Sequence, residues 1–188
     1  MRREHPDSFA NTVVWLKPPP EIANALVAHR KHWWWLSHKH FPAAHRLHLS
    51  MHNLGPLDDE EIGQVSHILS GVRVKAFDLA LTWSGVWTSK VAVACPQAHE
   101  GLTQLHAALA RHLHGRLTRQ SWSPHVTLAW NVPWAGAARL TPLHWPVREF
   151  LLVRSWHGEE ARHEVLSRYQ LEPLRPGACH AGRHTAAA

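Results

Sequence analysis

The pattern of apolar and polar positions switches between two periods along the chain. Thr12-Val13-Val14-Trp15-Leu16 is a short apolar, β-branched run that reads as a strand. Pro18-Pro19-Pro20-Glu21 stops it and opens a helix, because the fixed φ of proline suits the first helical turn. Ile22, Leu26, Val27 and Arg30 then keep helical spacing. The segment 29–40 holds Trp33-Trp34-Trp35 and several basic residues and reads as a connection at the surface. From Arg46 to Leu54 the period becomes two. Leu47, Leu49 and Met51 fall on one face, and His48, Ser50 and His52 on the other, the mark of a half-buried strand. Gly55-Pro56 ends it, and Asp58-Asp59-Glu60-Glu61 loads acid onto the positive end of a second helix. Ile62, Val65, Ile68 and Leu69 form that helix's apolar face.

Val74 to Trp83 and Lys90 to Ala94 read as strands, with a turn near Ser84-Gly85. Gln97 to Leu113 reads as a helix with Leu102, Leu105, Leu109 and Leu113 on one stripe. After Pro124, His125-Val126-Thr127-Leu128-Ala129-Trp130 alternates again. Val147 to Trp156 and Glu164 to Leu174 close the chain as two strands joined by His157-Gly158-Glu159-Glu160. Such mixed runs predict an α+β fold, not a doubly wound sheet. No Gly-rich phosphate loop follows any strand. The expected organisation is one domain over 1–175 and a disordered Gly-, Ala- and His-rich tail over 176–188.

Composition narrows the classes. The chain has 188 residues, 45% of them hydrophobic, enough for one core and too many for wholesale disorder. No apolar run approaches the ~20 residues of a membrane span. Met1-Arg2-Arg3-Glu4-His5-Pro6-Asp7 lacks the apolar stretch of a signal peptide, so the expected compartment is the cytoplasm, with no membrane partner. Cys95 and Cys179 form no evident disulfide framework, which fits a reducing compartment. The net charge of +6 favours an anionic partner such as nucleic acid. Nineteen His raise the question of metal. His48 and His52 have the spacing of a zinc pair, but on a strand residues four apart lie roughly 13 Å apart. No metal site and no cofactor are expected, and most of the His are read as solvated.

A repeated tripeptide carries the chemistry. His48-Leu49-Ser50 and His125-Val126-Thr127 both read H-x-[ST], each in an alternating stretch and each followed by an apolar residue. On a strand, residues i and i+2 share a face, so each motif sets an imidazole beside a hydroxyl. Two such strands brought together would offer a phosphodiester a base for water, an acid for the leaving oxygen and two donors for the non-bridging oxygens. His titrates near pH ~6.5, so neutral and protonated rings coexist near neutrality. The bland alternative is two unrelated strand His facing solvent.

These residues resemble the paired motifs of the 2H phosphoesterases. Arg46-Leu47-His48-Leu49-Ser50-Met51-His52-Asn53-Leu54-Gly55 is similar to the first motif, and Ser123-Pro124-His125-Val126-Thr127-Leu128-Ala129 to the second. The branch it resembles is the bacterial 2′-5′ RNA ligase, or RNA 2′,3′-cyclic phosphodiesterase, family. The likeness runs from about Thr12 to Leu174 and includes the Gly85-Val86-Trp87 turn and the closing Tyr169 to Leu174.

The resemblance implies a bilobal α+β fold, with two pseudo-symmetric antiparallel sheets lining a groove and helices outside. It implies a metal-independent enzyme that opens 2′,3′-cyclic phosphate RNA ends to 2′-phosphates, with reversible 2′-5′ joining in some members; a monomer is expected, with RNA ends or oligonucleotides as substrate. By the same resemblance His48 protonates the leaving 3′ oxygen, His125 activates water, and Ser50 and Thr127 hold the phosphate. Two positions depart from the pattern. Trp130 stands where Arg is common, and Asn53 where Phe is common. Trp130 is read as a stacking face for a base, or as a packing residue at the core or rim. Trp87 has the same two readings, the structural one preferred. The competing functions are a 2H phosphodiesterase for a small cyclic nucleotide or 2′-5′ oligonucleotide, and a non-catalytic RNA-binding module.

Overall fold

The computed structural model describes residues 10–36, 39–117, 121–156 and 162–173. In chain order the elements are β1 (Ala10–Leu16), α1 (Pro20–Lys31), β2 (Trp34–Trp35), a 3₁₀ turn (Ala44–Arg46), β3 (Leu49–Gly55), α2 (Asp59–Leu69), β4 (Phe77–Val86), β5 (Ala92–Pro96), α3 (Glu100–His112), β6 (Val126–Ala129), β7 (Ala135–Gly136), β8 (Leu143–Val147), β9 (Glu149–Trp156) and β10 (His163–Gln170). Eight strands form one antiparallel sheet in the order β10-β9-β1-β3-β6-β5-β4-β8, and β2 and β7 form a separate ribbon. The fold is α+β, as expected. The tail over 176–188 and the joint 157–160 lie outside the described residues, as does Cys179. No helix among the described residues is long and apolar enough to cross a membrane.

The sheet has two halves that mirror each other, β10-β9-β1-β3 and β8-β4-β5-β6. The two expected sheets are these halves, and they meet at a single pair, Leu49↔Val126. The correspondence extends to an irregularity. In one half Trp15 faces Ser50 and Val14 faces His52, and in the other Val93 faces Thr127 and Ala92 faces Ala129. Each motif strand therefore carries an extra residue at the same step past its hydroxyl, a bulge that re-aims the residues beyond it.

Leu49, Met51, Val126 and Leu128 point into the main core with Leu26 of α1, Val65 and Leu69 of α2, and Leu102, Leu105 and Leu109 of α3. Each fully buried Leu contributes roughly 1.5–3 kcal/mol relative to exposure. Asp58 and Glu61 form a reciprocal capping box at the start of α2, the reason the acidic cluster sits there. Val13, Trp15, Leu151 and Val153 form a second, smaller cluster on the opposite face of the sheet.

Three expectations are corrected. The tryptophan segment lies at the surface only in part: Trp34 is exposed, but Trp33 is buried, its ring stacks on Trp35, and Trp34–Trp35 pairs with Ala135–Gly136. β4 runs through Ser84-Gly85, and the turn lies beyond it, where the Lys90 N–H donates to the Trp87 carbonyl. The strand expected from Val147 is two: β8 ends at Val147 and β9 begins at Glu149. Pro146 obscures β8 in the sequence, yet β8 is an edge strand, where a missing N–H is tolerated.

Candidate active site

The junction of the two halves sets the site. Leu49 pairs with Val126 in antiparallel register. One step either way along that pair sets His48 opposite Thr127 and Ser50 opposite His125. Residues directly opposite share a face with Cβ atoms about 5 Å apart. The face is the one away from the main core, since Leu49, Met51, Val126 and Leu128 occupy the other. The four motif side chains thus form one diagonal square, with His48 and His125 at opposite corners. Both His are half-buried, Thr127 likewise, and Ser50 is exposed.

Both imidazoles are held in the same way. His48 Nδ1 donates to the Arg46 carbonyl at 2.8 Å, and His125 Nδ1 donates to the Ser123 carbonyl at 2.7 Å. A carbonyl only accepts, so each ring is protonated at Nδ1. Nε2 is then the nitrogen available for proton transfer, basic when the ring is neutral and acidic when it is charged. Both strands begin one residue after their His, so each ring hangs at a strand mouth with its carbonyl partner two residues upstream.

The surroundings of the two His differ. Trp15 stacks on His48 with ring centres 3.6 Å apart and planes at 13°. His163 stands edge-on to both, at 4.7 Å from Trp15 and 5.8 Å from His48. Arg46 Nε donates to His163 Nε2 at 3.2 Å. Burial is the main reason that His48 is held down to about 4, and the nearby His163, His125 and Arg46 add to it. The bond to the Arg46 carbonyl opposes this without offsetting it. His48 is therefore neutral at pH 7 in the free protein. His125 is flanked by Trp87, with ring centres 4.5 Å apart and planes at 60°.

The remaining expected residues fall elsewhere. The bulge turns His52 away from the motif face: its Nε2 meets the His106 carbonyl at 3.0 Å, and its ring stacks on His106. His106 in turn stacks on Trp122, whose indole N–H donates to the Ser50 carbonyl. Trp130 pairs with His40 through two 2.9 Å backbone bonds, three residues past Thr127 and about 10 Å along the strand. Trp87, read as structural, lies against a motif His. Sequence reasoning misses Trp15, Arg46 and His163 as site residues. The alternation of Val13 and Trp15 on one face is the available signal for Trp15. A cavity of about 640 Å³, lined by Lys17, Pro18, Arg148 and Arg168 among others, contains none of the four motif side chains. No three His, Cys, Asp or Glu among the described residues are grouped to hold a metal.

Comparison with known proteins agrees with this architecture. A solved structure described as a phosphoesterase is 24% identical, with a TM-score of 0.77 over 87% of this chain and 99% of its own. Apo LigT of E. coli is 25% identical, with a TM-score of 0.75 over 88% of this chain and 99% of its own. A protein of Thermus thermophilus is 27% identical, with a TM-score of 0.67 over 88% of this chain and 100% of its own. No curated protein matches in sequence. The 2′-5′ RNA ligase superfamily profile matches residues 18–159, most of the chain and both motifs. The chain belongs to the 2′-5′ RNA ligase superfamily of 2H phosphoesterases.

Proposed function

We propose that this protein is a metal-independent phosphodiesterase that hydrolyses RNA 2′,3′-cyclic phosphate ends to 2′-phosphates. The observation that carries the reading is the Leu49↔Val126 pair, which joins the two motif strands at the junction of the two halves. In this reading the cyclic phosphate sits over that junction. Ser50 and Thr127 donate to its non-bridging oxygens, where negative charge builds. His125 Nε2 takes a proton from water, whose oxygen attacks phosphorus. The P–O3′ bond breaks, and His48 Nε2 gives its proton to the departing 3′ oxygen. The phosphate stays on the 2′ oxygen. The net charge of +6 suits an anionic substrate, and the related LigT of E. coli, 25% identical, has been crystallised with 3′-AMP.

One observation favours exchanged roles. His48 is neutral at pH 7 before substrate binds, the state of a base and not of an acid. In the first assignment the bound phosphate's negative charge raises His48 into its protonated form.

The test is an oligoribonucleotide ending in a 2′,3′-cyclic phosphate. The expected product gains one water and carries a phosphate that a 3′-specific phosphatase does not remove. An unchanged cyclic end, or a 3′-phosphate product, contradicts the proposal.

A further inference from the structure

We infer that Trp83, whose six-membered ring packs over Gly85 in the β4–β5 half of the sheet, is the platform on which the base of the nucleotide bearing the cyclic phosphate stacks. The inference rests on the phosphodiesterase reading and adds a base site to it.

The register places Trp83 on the motif face. Trp83 pairs with Cys95 and Gly85 pairs with Val93, while Val93 pairs with Thr127. Ser84, between them, points the other way, with its Oγ 2.9 Å from His29 Nε2 on α1. Trp83 and Gly85 therefore share the face that carries Thr127 and His125. Cys95 is one residue beyond Ala94, which pairs with Val126, so the row across the sheet runs Trp83, Cys95, His125, Ser50, Trp15. Trp83 and His125 are two strands apart, about 10 Å. That separation suits a nucleotide whose phosphate lies between the two His and whose base lies over Trp83.

The ring is built to lie there. A Cβ added at Gly85 would meet Trp83 Cζ2 at 2.5 Å and Cη2 at 2.6 Å, so the indole occupies the space a side chain at 85 would fill. Gly85 has no need of an unusual backbone conformation, and its missing side chain is explained by the ring it seats. Trp83 is 50% exposed, a large apolar surface open to solvent in the middle of a β half-sheet. Among the described residues no ring or hydrogen-bond partner takes up its side chain. The other tryptophans of this face are already engaged, Trp15 on His48 and Trp87 on His125. Base–aromatic stacking tolerates any base, because every base has a π-face.

The test compares a nucleoside with its base-free counterpart. The substrates are adenosine 2′,3′-cyclic phosphate and the 2,3-cyclic phosphate of 1-O-methylribose, and the binding probes are adenosine 2′-phosphate and 1-O-methylribose 2-phosphate. Trp83→Ala is expected to lose roughly tenfold to a hundredfold in kcat/KM on the adenosine substrate, carried by KM, with no comparable loss on the base-free one. Trp83→Phe keeps most of the preference. Gly85→Ala, which displaces the ring without removing it, shifts the same ratio in the same direction. The Kd for adenosine 2′-phosphate rises in Trp83→Ala by a similar factor, and that for the base-free phosphate does not. Equal losses on both substrates, or no loss on either, overturn the inference. If the wild type hydrolyses neither substrate, the phosphodiesterase reading fails, and the two binding constants still decide the base site.

Discussion

Trp15 lies parallel to His48, ring centre to ring centre at 3.6 Å, and covers one face of the imidazole. Burial of this kind withholds water from the charged form and holds His48 at about 4. Removing the indole should return His48 toward its ordinary value near 6.5. NMR titration of the His48 ring in Trp15→Ala measures this directly. Loss of so large a buried ring costs about 3–5 kcal/mol, so Trp15→Phe, which keeps an aromatic cover, gives a second and smaller shift. A His48 that titrates near 4 in both variants contradicts the account.

Stability should fall with acid in a defined window. His48 and His106 are both held at about 4, and His29 and His52 are also lowered, each chiefly by burial. Between pH 6.5 and 4 the unfolded chain binds protons that the folded one refuses. Stability is therefore full above pH 6.5 and is lost as pH falls toward 4. At about 1.4 kcal/mol per pKa unit, His48 alone contributes on the order of 3 kcal/mol to that loss. Urea unfolding at pH 7 and pH 4.5 checks it, with His48→Gln expected to show a shallower decline. Equal stability at both pH values, or an unchanged decline in His48→Gln, contradicts it.

The division of labour between the two His is chemical and has a chemical test. A leaving group that departs without a proton does not need the acid. A substrate with sulfur bridging at the 3′ position should restore much of the rate of His48→Ala and little of that of His125→Ala. Rescue of His125→Ala instead exchanges the roles, in line with the neutral state of free His48. Rescue of neither shows that leaving-group protonation does not limit the reaction.

The proposed mechanism carries an expectation of metal independence, because in it the four motif groups supply acid, base and donors without an ion. Turnover should be unchanged after dialysis against a strong chelator. Activity lost on chelation and recovered with zinc or manganese contradicts the proposal.

The motif strands are legible in the sequence because their period of two survives in the fold around Leu49 and Val126. The residues just past each motif are not. A bulge adds a residue without changing the local alternation of apolar and polar positions, so His52 looks coplanar with His48 and instead faces α3. Gly85 reads as a turn because glycine commonly marks one, whereas here it makes room for an indole. Trp15 and His163 reach His48 from strands far apart in the chain, a contact no local pattern records. The mirrored halves, by contrast, are foreshadowed by the repeat of H-x-[ST] itself.

The central claim is that His48 and His125 belong to one site, and single-turnover rates of His48→Ala and His125→Ala on an RNA 2′,3′-cyclic phosphate test it most directly. Each variant is expected to stay folded by circular dichroism and to lose roughly 10²–10⁴-fold in rate. The double variant should lose little more than the worse single one, because residues that act as a unit are not additive. Full activity in either folded single variant, or losses in the double variant that simply multiply, would contradict a shared site.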